Sequence, residues 1–179
     1  FIAIVVPAQV LLGLGAAAML ARGLPGTGVF RALYVIPWIC SPLAVAVLWR
    51  WILAPTDGVI STVLGRRIEW LTDPGLALPV VSAVTVWTNV GYVALFFLAG
   101  ILAIPPQVHA AARIDGATSW QRFWRITVPM LRPTFFFVSV TGVVSAAQVF
   151  DTVYALTGGG PAGRTDLVAH RIYAEAFGA

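Results

Sequence analysis

The chain has 179 residues, of which 59% are hydrophobic and only 10% are charged. Soluble domains carry about 25% charged residues, so this composition excludes an ordinary globular domain and predicts several membrane-spanning helices. The net charge is +4, and every basic residue is an arginine. These arginines lie between apolar segments rather than in one cluster, which argues against a nucleic-acid-binding protein.

Apolar runs separated by polar connections divide the chain. Four runs are long enough to cross a bilayer, and a fifth begins near Leu167. The four predicted spans are residues 1–20, 33–53, 78–103 and 134–157. We expect Pro37 and Pro42 to kink the second of them. The predicted connections are residues 21–32, residues 54–77 with a short helix from Val59 to Leu64, residues 104–133, and residues 158–166, a glycine-rich turn.

The longest polar interruption is residues 104–133, which contain four arginines, an aspartate and a histidine. These charges cannot lie in hydrocarbon, so the segment must lie in water or at the headgroups between two spans. Val108, Ala111 and Ala112 lie three and four residues apart, which predicts a helix with these residues on one face. Gly116 is a natural stop for that helix.

A second short helix is predicted after the break. Thr118 and Gln121 have the spacing of a capping box, which places the helix start near Ser119. Pro129 is expected to end it. Its predicted apolar face consists of Trp120, Phe123, Trp124 and Thr127. Such a helix pair suits two roles, because it can lie flat on lipid headgroups or dock into a groove of a partner protein.

One motif in this segment favours the docking role. The motif is Ala111-Ala112-Arg113-Ile114-Asp115-Gly116-Ala117, followed by Phe123, Ile126, Pro129 and Pro133. It resembles the EAA loop of ABC-importer permeases, which usually has a glutamate where this chain has Ala110. The resemblance implies a cytoplasmic loop that seats in a cleft of an ATP-hydrolysing subunit. The coupling residues that it implies are Ala111, Ala112, Asp115, Gly116, Ala117, Trp120, Phe123 and Pro129.

Further motifs extend the resemblance over nearly the whole chain. They include Ile104-Pro105, Phe150-Asp151 and Leu156-Thr157-Gly158-Gly159-Gly160-Pro161. Together they are similar to one of the two permease subunits in binding-protein-dependent importers of carbohydrates and glycerol phosphate. The resemblance implies an all-α, polytopic transmembrane bundle with about five spans. We expect residues 1–179 to form a single permease domain that is incomplete at both ends.

The resemblance also implies the partners of the chain. They are a second permease subunit, a dimer of ATP-binding subunits, an extracytoplasmic solute-binding protein and the lipid bilayer. The ATPase would bind ATP and Mg²⁺, so we expect no cofactor, metal or catalytic residue in this chain, and no nucleic acid. The implied location is the bacterial cytoplasmic (inner) membrane. The distribution of arginines places residues 104–133 in the cytoplasm. The connections 21–32 and 104–133, on one side of the membrane, contain six arginines, whereas the connections 54–77 and 158–166, on the other side, contain three.

Polar residues inside the spans are candidates for a solute path. One stripe is Ser82, Thr85, Asn89 and Tyr92, and the other is Thr141, Ser145, Gln148 and Thr152. Each stripe follows helical spacing along one face of its span. Hydroxyl residues commonly pack spans together, and we favour this role for the serines and threonines. For the larger side chains both roles stay open, and the candidate path residues are Asn89, Tyr92, Ser145 and Gln148.

The sequence therefore predicts half of the solute path of an ATP-driven importer. A sugar is the first choice of solute, because its hydroxyls need neutral donors and acceptors, and glycerol 3-phosphate or a related ester is the second. A gradient-driven secondary transporter would need ionisable residues along its spans, and this chain has few. An intramembrane enzyme would need a nucleophile or an acid/base pair at membrane depth, and the sequence offers no such pair.

Overall fold

The computed structural model describes residues 1–23 and 27–177. Every regular element within these ranges is helical, which confirms the all-α fold class. The elements in chain order are α1 (Ile2–Leu20), α2 (Thr27–Ile39), α3 (Pro42–Ile52), α4 (Val59–Leu64), α5 (Ala77–Leu102), α6 (Pro106–Ile114), α7 (Ser119–Arg122), a π-helical turn (Phe123–Thr127), α8 (Val128–Met130), α9 (Arg132–Ala147), α10 (Asp151–Leu156) and α11 (Val168–Phe177).

Two helices, α1 and α5, are each long and apolar enough to cross a bilayer. They have 19 and 26 residues, which correspond to about 28 and 39 Å of helix. The two helices pack along each other, and their main core contains Ala17 of α1 with Val93 and Phe97 of α5. Leu131 and Val138 from the later part of the chain complete this core. The first and third predicted spans are therefore confirmed.

The second predicted span, residues 33–53, is wrong as a single kinked helix. It forms two helices, α2 and α3, whose axes meet at 98° across a short break. Ser41 in the break is not helical (φ −56°, ψ 127°), because a residue that precedes proline avoids the helical region. Pro42 then lies in the first turn of α3, where its missing N–H is not needed. Pro37, by contrast, lies within α2.

The fourth predicted span, residues 134–157, is too long. α9 stops at Ala147, and residues 148–150 interrupt the helical path before α10. α10 packs against α3, in a second core that includes Ala46 and Val153. If α2 and α3 are counted as one bent span, and α9 is counted together with the helical segment Ser119–Met130 before it, the described residues contain up to four spanning candidates.

Among the polar connections between the spans, the first has bounds that differ most from the prediction. The predicted connection 21–32 is too long, because α2 begins at Thr27, and residues 24–26 lie outside the described ranges. α4 has the predicted bounds, Val59–Leu64. The fifth predicted span begins as α11, whose ten described residues are about half of what a crossing needs.

The predicted glycine-rich turn, residues 158–166, is confirmed and is held by one buried side chain. The hydroxyl of Thr165 donates a hydrogen bond to the Gly160 carbonyl oxygen at 2.5 Å. It also lies 2.7 Å from the Thr157 hydroxyl at the end of α10. These bonds tie the turn to the end of α10. Asp166, the last residue of the turn, ties it to α11, because its carboxylate lies 2.9 Å from His170 Nδ1 and 3.9 Å from the Arg171 guanidinium.

α2 lies directly against α5 at Gly91. A β carbon at this position would overlap the carbonyl group of Tyr34 on α2, so only glycine allows the two backbones to come this close. Beside the contact, the rings of Trp38 and Tyr92 stack with their centroids 5.0 Å apart. The position of Trp38 relative to α5 therefore depends on the absence of a side chain at Gly91.

We expect Gly91→Ala to lower the free energy of unfolding by about 1–3 kcal/mol, the usual cost of overpacking a well-packed contact. The measurement is the thermal unfolding temperature of the detergent-solubilised protein. Gly28→Ala is the matched control, because it lies on α2 with no atom within 4 Å of the added carbon. Equal unfolding temperatures for the two variants would contradict the close approach of α2 and α5.

Candidate functional site

A cavity of about 160 Å³ lies where four helices meet. Its lining consists of Gln9 from α1, Trp38 from α2, Asn89, Tyr92 and Val93 from α5, and Val138, Thr141, Gly142 and Ser145 from α9. None of these lining residues carries a charge, so the cavity is polar but neutral. It is small compared with typical ligand pockets of roughly 300–1,000 Å³.

Gln9 is the polar residue of α1 that reaches this cavity. It is only 4% exposed, and it lies against Gly142 of α9. Its amide can both donate and accept hydrogen bonds, so Gln9 can bind water or a solute that enters the cavity.

Asn89 is positioned by its own helix. Its Nδ2 donates a hydrogen bond to the Thr85 carbonyl oxygen at 2.8 Å, which leaves its side-chain oxygen as an acceptor. The hydroxyls of Ser82 and Thr85 also bond within α5, each at 2.8 Å, to the carbonyl oxygens of Leu78 and Val81. Ser82 and Thr85 are buried and do not line the cavity, which favours the helix-packing role for them.

The structure places three of the four candidate path residues together. Asn89, Tyr92 and Ser145 all line the cavity. Gln148 does not, because α9 ends at Ala147 and Gln148 is exposed beyond that end. Helical spacing had put Gln148 in line with Ser145, and that spacing stops where the helix stops.

Sequence reasoning missed two of the lining residues that have polar side-chain atoms, Gln9 and Trp38. Gln9 is the sole amide side chain in residues 1–20, and a lone polar residue in a spanning helix is itself a signal of function or of packing. Gln9 belongs to no polar stripe, because it has no polar neighbour at helical spacing within residues 1–20. Trp38 gave no such signal, since it resembles an aromatic residue near the end of a span.

The segment of residues 104–133 joins α5 to α9 as two short helices with a break, as predicted. α6 ends in a Schellman motif, in which the Ala117 N–H donates to the Ala112 carbonyl oxygen at 2.9 Å. The Gly116 N–H donates to the Arg113 carbonyl oxygen at 3.1 Å. Gly116 has φ +76°, in the left-handed region that favours glycine.

The second helix begins with the predicted capping box. The Thr118 hydroxyl accepts the Gln121 N–H at 3.3 Å, and the Gln121 side-chain oxygen accepts the Thr118 N–H at 2.8 Å. The Arg122 guanidinium donates back to the Ala117 carbonyl oxygen at 3.4 Å and to the Ser119 hydroxyl at 3.1 Å. Local hydrogen bonds therefore define the conformation of the loop between the two helices.

Pro129 does not end this second helix, and that prediction is wrong. The helical path continues through the π-helical turn to Met130, and the chain then bends by 63° into α9. The Val128 N–H bonds the Phe123 carbonyl oxygen five residues back, which is π-helical geometry. The wider turn lies just before proline, whose ring would clash with a carbonyl group four residues back in an α-helix.

The most exposed part of the loop surrounds its break. Ile114 is 87% exposed, although it is a large apolar residue, and Asp115 and Gly116 beside it are exposed as well. Trp120 follows on the second helix with 71% of its surface exposed. Ile114 has the largest exposed fraction of the large apolar residues in the described ranges, which makes it a candidate for contact with another protein.

Other predicted coupling residues lie further inside. Val108, Ala111 and Ala112 all lie on the predicted helix α6. Ala112 is buried and Ala111 is exposed, so only part of their shared face packs against the rest of the described chain. Phe123 is half-buried against the main core, beside Trp124 at a ring distance of 5.3 Å. Ala117 and Pro129 are also half-buried. Their coupling role stays a prediction from the resemblance.

The comparison with protein families decides the identity of the chain. Residues 9–179 match the family described as "Binding-protein-dependent transport system inner membrane component". The chain belongs to this family. Its membership agrees with the apolar spans, the loop motif and the all-α fold.

Similar proteins share most of the described chain. The chain is 37% identical to the sn-glycerol-3-phosphate transport system permease protein UgpA of Agrobacterium fabrum, over 93% of this chain and 60% of that protein. It is 34% identical to the trehalose/maltose transport system permease protein MalF of Thermococcus litoralis (90% and 56%). It is also 34% identical to the lactose transport system permease protein LacF of Rhizobium radiobacter (99% and 62%).

The fold also matches a solved transporter. The crystal structure of a bacterial alginate ABC transporter, in complex with an alginate pentasaccharide-bound periplasmic protein, superposes with a TM-score of 0.83 at 26% identity. The match covers 97% of this chain and 61% of that chain. The chain thus spans about three fifths of the length of the relatives that it matches.

We expect Gly116→Val to destabilise the loop by roughly 1–2 kcal/mol, because a β-branched residue is strained at positive φ. The measurement is amide hydrogen exchange of α6, which should become faster. Gly116→Asn is the control, since asparagine tolerates this conformation and no atom lies within 4 Å of the added carbon. Equal exchange in the two variants would argue against a left-handed conformation at this position.

Proposed function

We propose that this chain is the membrane-spanning subunit of an ATP-driven importer and forms half of the path of a neutral sugar. The observation that carries the proposal is a neutral, amide- and hydroxyl-lined cavity in a chain of this family. The partners would be a second permease subunit, two ATP-binding subunits and an extracytoplasmic solute-binding protein, in a bacterial inner membrane. The ATP-binding subunits would hold ATP and Mg²⁺.

The chemistry of the lining supports a sugar as the solute. Sugar hydroxyls both donate and accept hydrogen bonds, and Gln9, Asn89 and Ser145 can do the same. Relatives named for lactose and for trehalose and maltose agree with this choice. The cavity is small for a sugar, so we expect the second permease subunit to supply the opposite wall.

Glycerol 3-phosphate is the alternative solute, because the relative with 37% identity is named for it. A phosphate group binds best to arginine or lysine, often through paired hydrogen bonds. No arginine is among the lining residues of the cavity, which favours the sugar. A gradient-driven transporter is disfavoured for a related reason, since the lining offers no carboxylate or histidine for a coupling ion.

The connectivity of the chain supports coupling through residues 104–133. This loop joins α5 to α9, and these two helices supply seven of the nine lining residues of the cavity. Leu131 at the bend before α9 is 1% exposed, so a displacement of the loop is transmitted to α9 through packed contacts. Ile114 would enter the cleft of the ATPase, and closure of the ATPase pair would then move both helices.

The first test concerns the cavity. Gln9→Leu and Asn89→Leu are each expected to reduce sugar uptake by about tenfold, because one hydrogen-bonding group is lost. Gln148→Leu is the matched control, since this amide lies outside the lining and uptake should stay near wild type. The measurement is uptake of labelled sugars by the assembled importer in vesicles. Normal uptake in both cavity variants would remove the cavity from the path.

The second test concerns the partner that hydrolyses ATP. Ile114→Asp should abolish co-purification of the ATPase, because a charge would have to be buried in an apolar cleft. Val63→Asp on α4 is the control, since Val63 is another apolar residue that is 79% exposed but lies outside the loop. The measurement is the ratio of ATPase to permease after mild detergent extraction. Retention of the ATPase by the Ile114 variant would refute the docking role.

A further inference from the structure

A wide groove of about 840 Å³ lies between the end of α1 and the loop of residues 104–133. It is separate from the neutral cavity and shares none of its lining residues. Part of its wall comes from the last turns of α1, including Met19, and part from the loop, including Trp120. The groove therefore combines a spanning helix with a polar connection.

The rim of this groove is strongly basic. Arg22, Arg113, Arg122 and His109 line it, and no carboxylate is among its lining residues. In the ranges that the structure describes, the three arginines also form no ion pair. Arg122 is held in place by its bonds to the loop, so its guanidinium is preorganised. Three unneutralised arginines around one groove call for an anionic occupant.

The floor of the groove is apolar and continues onto the surface of α1. Met19 is 63% exposed there, and Trp120 from the loop lies in the same groove. Arg22 follows the end of α1 by two residues, so the basic rim lies at the level where a spanning helix leaves the hydrocarbon. Tryptophan and arginine are typical of that level of the membrane. A soluble anion would use the rim alone, whereas a lipid would use both the rim and the floor.

We propose that this groove binds one anionic phospholipid of the cytoplasmic leaflet, such as phosphatidylglycerol. Its phosphate lies among the arginines and its acyl chain lies along the last turns of α1. Basic pockets between spanning helices on the cytoplasmic side bind anionic headgroups in this way. The lipid would hold α1 against the loop, and the proposal does not depend on which solute is transported.

The first measurement is native mass spectrometry of the assembled transporter, titrated with phosphatidylglycerol or phosphatidylcholine. We expect preferential retention of phosphatidylglycerol in the wild type. The double variant Arg22→Gln, Arg113→Gln should bind it roughly tenfold more weakly, because two cationic contacts are lost. The control is Arg66→Gln with Arg164→Gln, two exposed arginines outside the groove, which should bind as the wild type does.

The second measurement identifies what occupies the groove. A photoreactive benzoylphenylalanine at Met19 should form an adduct with phosphatidylglycerol, and an excess of phosphatidylcholine or inorganic phosphate should not suppress the adduct. Suppression by inorganic phosphate would overturn the proposal in favour of a free-anion site. An adduct with a polypeptide would overturn it in favour of a subunit interface. Equal binding by both double-arginine variants would also refute it.

Discussion

The fold depends on one constraint, which is that every backbone polar group inside a bilayer must be bonded within the protein. α5 meets this constraint as an uninterrupted helix, and α1 does so except near its start, where Pro7 has no N–H to donate. Both helices form although they contain glycines and β-branched residues, which are poor helix formers in water. Polar side chains at the same depth must also form hydrogen bonds, either within their own helix or in a polar cavity. Ser82 and Thr85 bond carbonyl groups of their own helix, whereas Gln9 and Asn89 keep polar atoms for the cavity.

The loop is stiff at the places where it has to transmit a movement. A Schellman motif, a capping box and the Arg122 bonds fix its conformation, and all of them come from residues close together in sequence. Beyond the loop, Leu131 is buried in the main core at the bend into α9. A stiff connection between a docking tip and two lining helices needs no hinge within the loop, so the movement is expected to occur between packed helices.

Local signals predicted the local structure well. The bounds of α4, the capping box at Thr118 and the break at Gly116 all follow from residues within a few positions of one another. The break at Ser41 could not be predicted in the same way, because Pro42 is compatible with a kink and with a new helix. What distinguishes them is tertiary packing, since α2 lies against α5 and α3 lies against α10.

The candidate site also depends on tertiary contacts that local sequence signals do not predict. Asn89 and Tyr92 share a stripe that the sequence reveals, but Gln9 joins them from another helix through a contact that no periodicity encodes. Gln148 lies outside the cavity lining, because the helical spacing that aligned it with Ser145 does not continue past the end of α9. The basic groove could not be predicted from the sequence either, since Arg22 and Arg113 are far apart in sequence and line one groove only in the folded chain.

These features place two chemically different environments along one helix. Gln9 lies in the neutral cavity, and Met19, ten residues later, lies in the basic groove about 15 Å further along α1. A lipid in the groove can influence the cavity only if it binds one arrangement of α1 and the loop more tightly than another. Arg22 follows α1, whereas Arg113 and Arg122 belong to the loop. Any movement that separates α1 from the loop would therefore weaken binding of the proposed lipid. Membrane charge and transport would then be linked through α1.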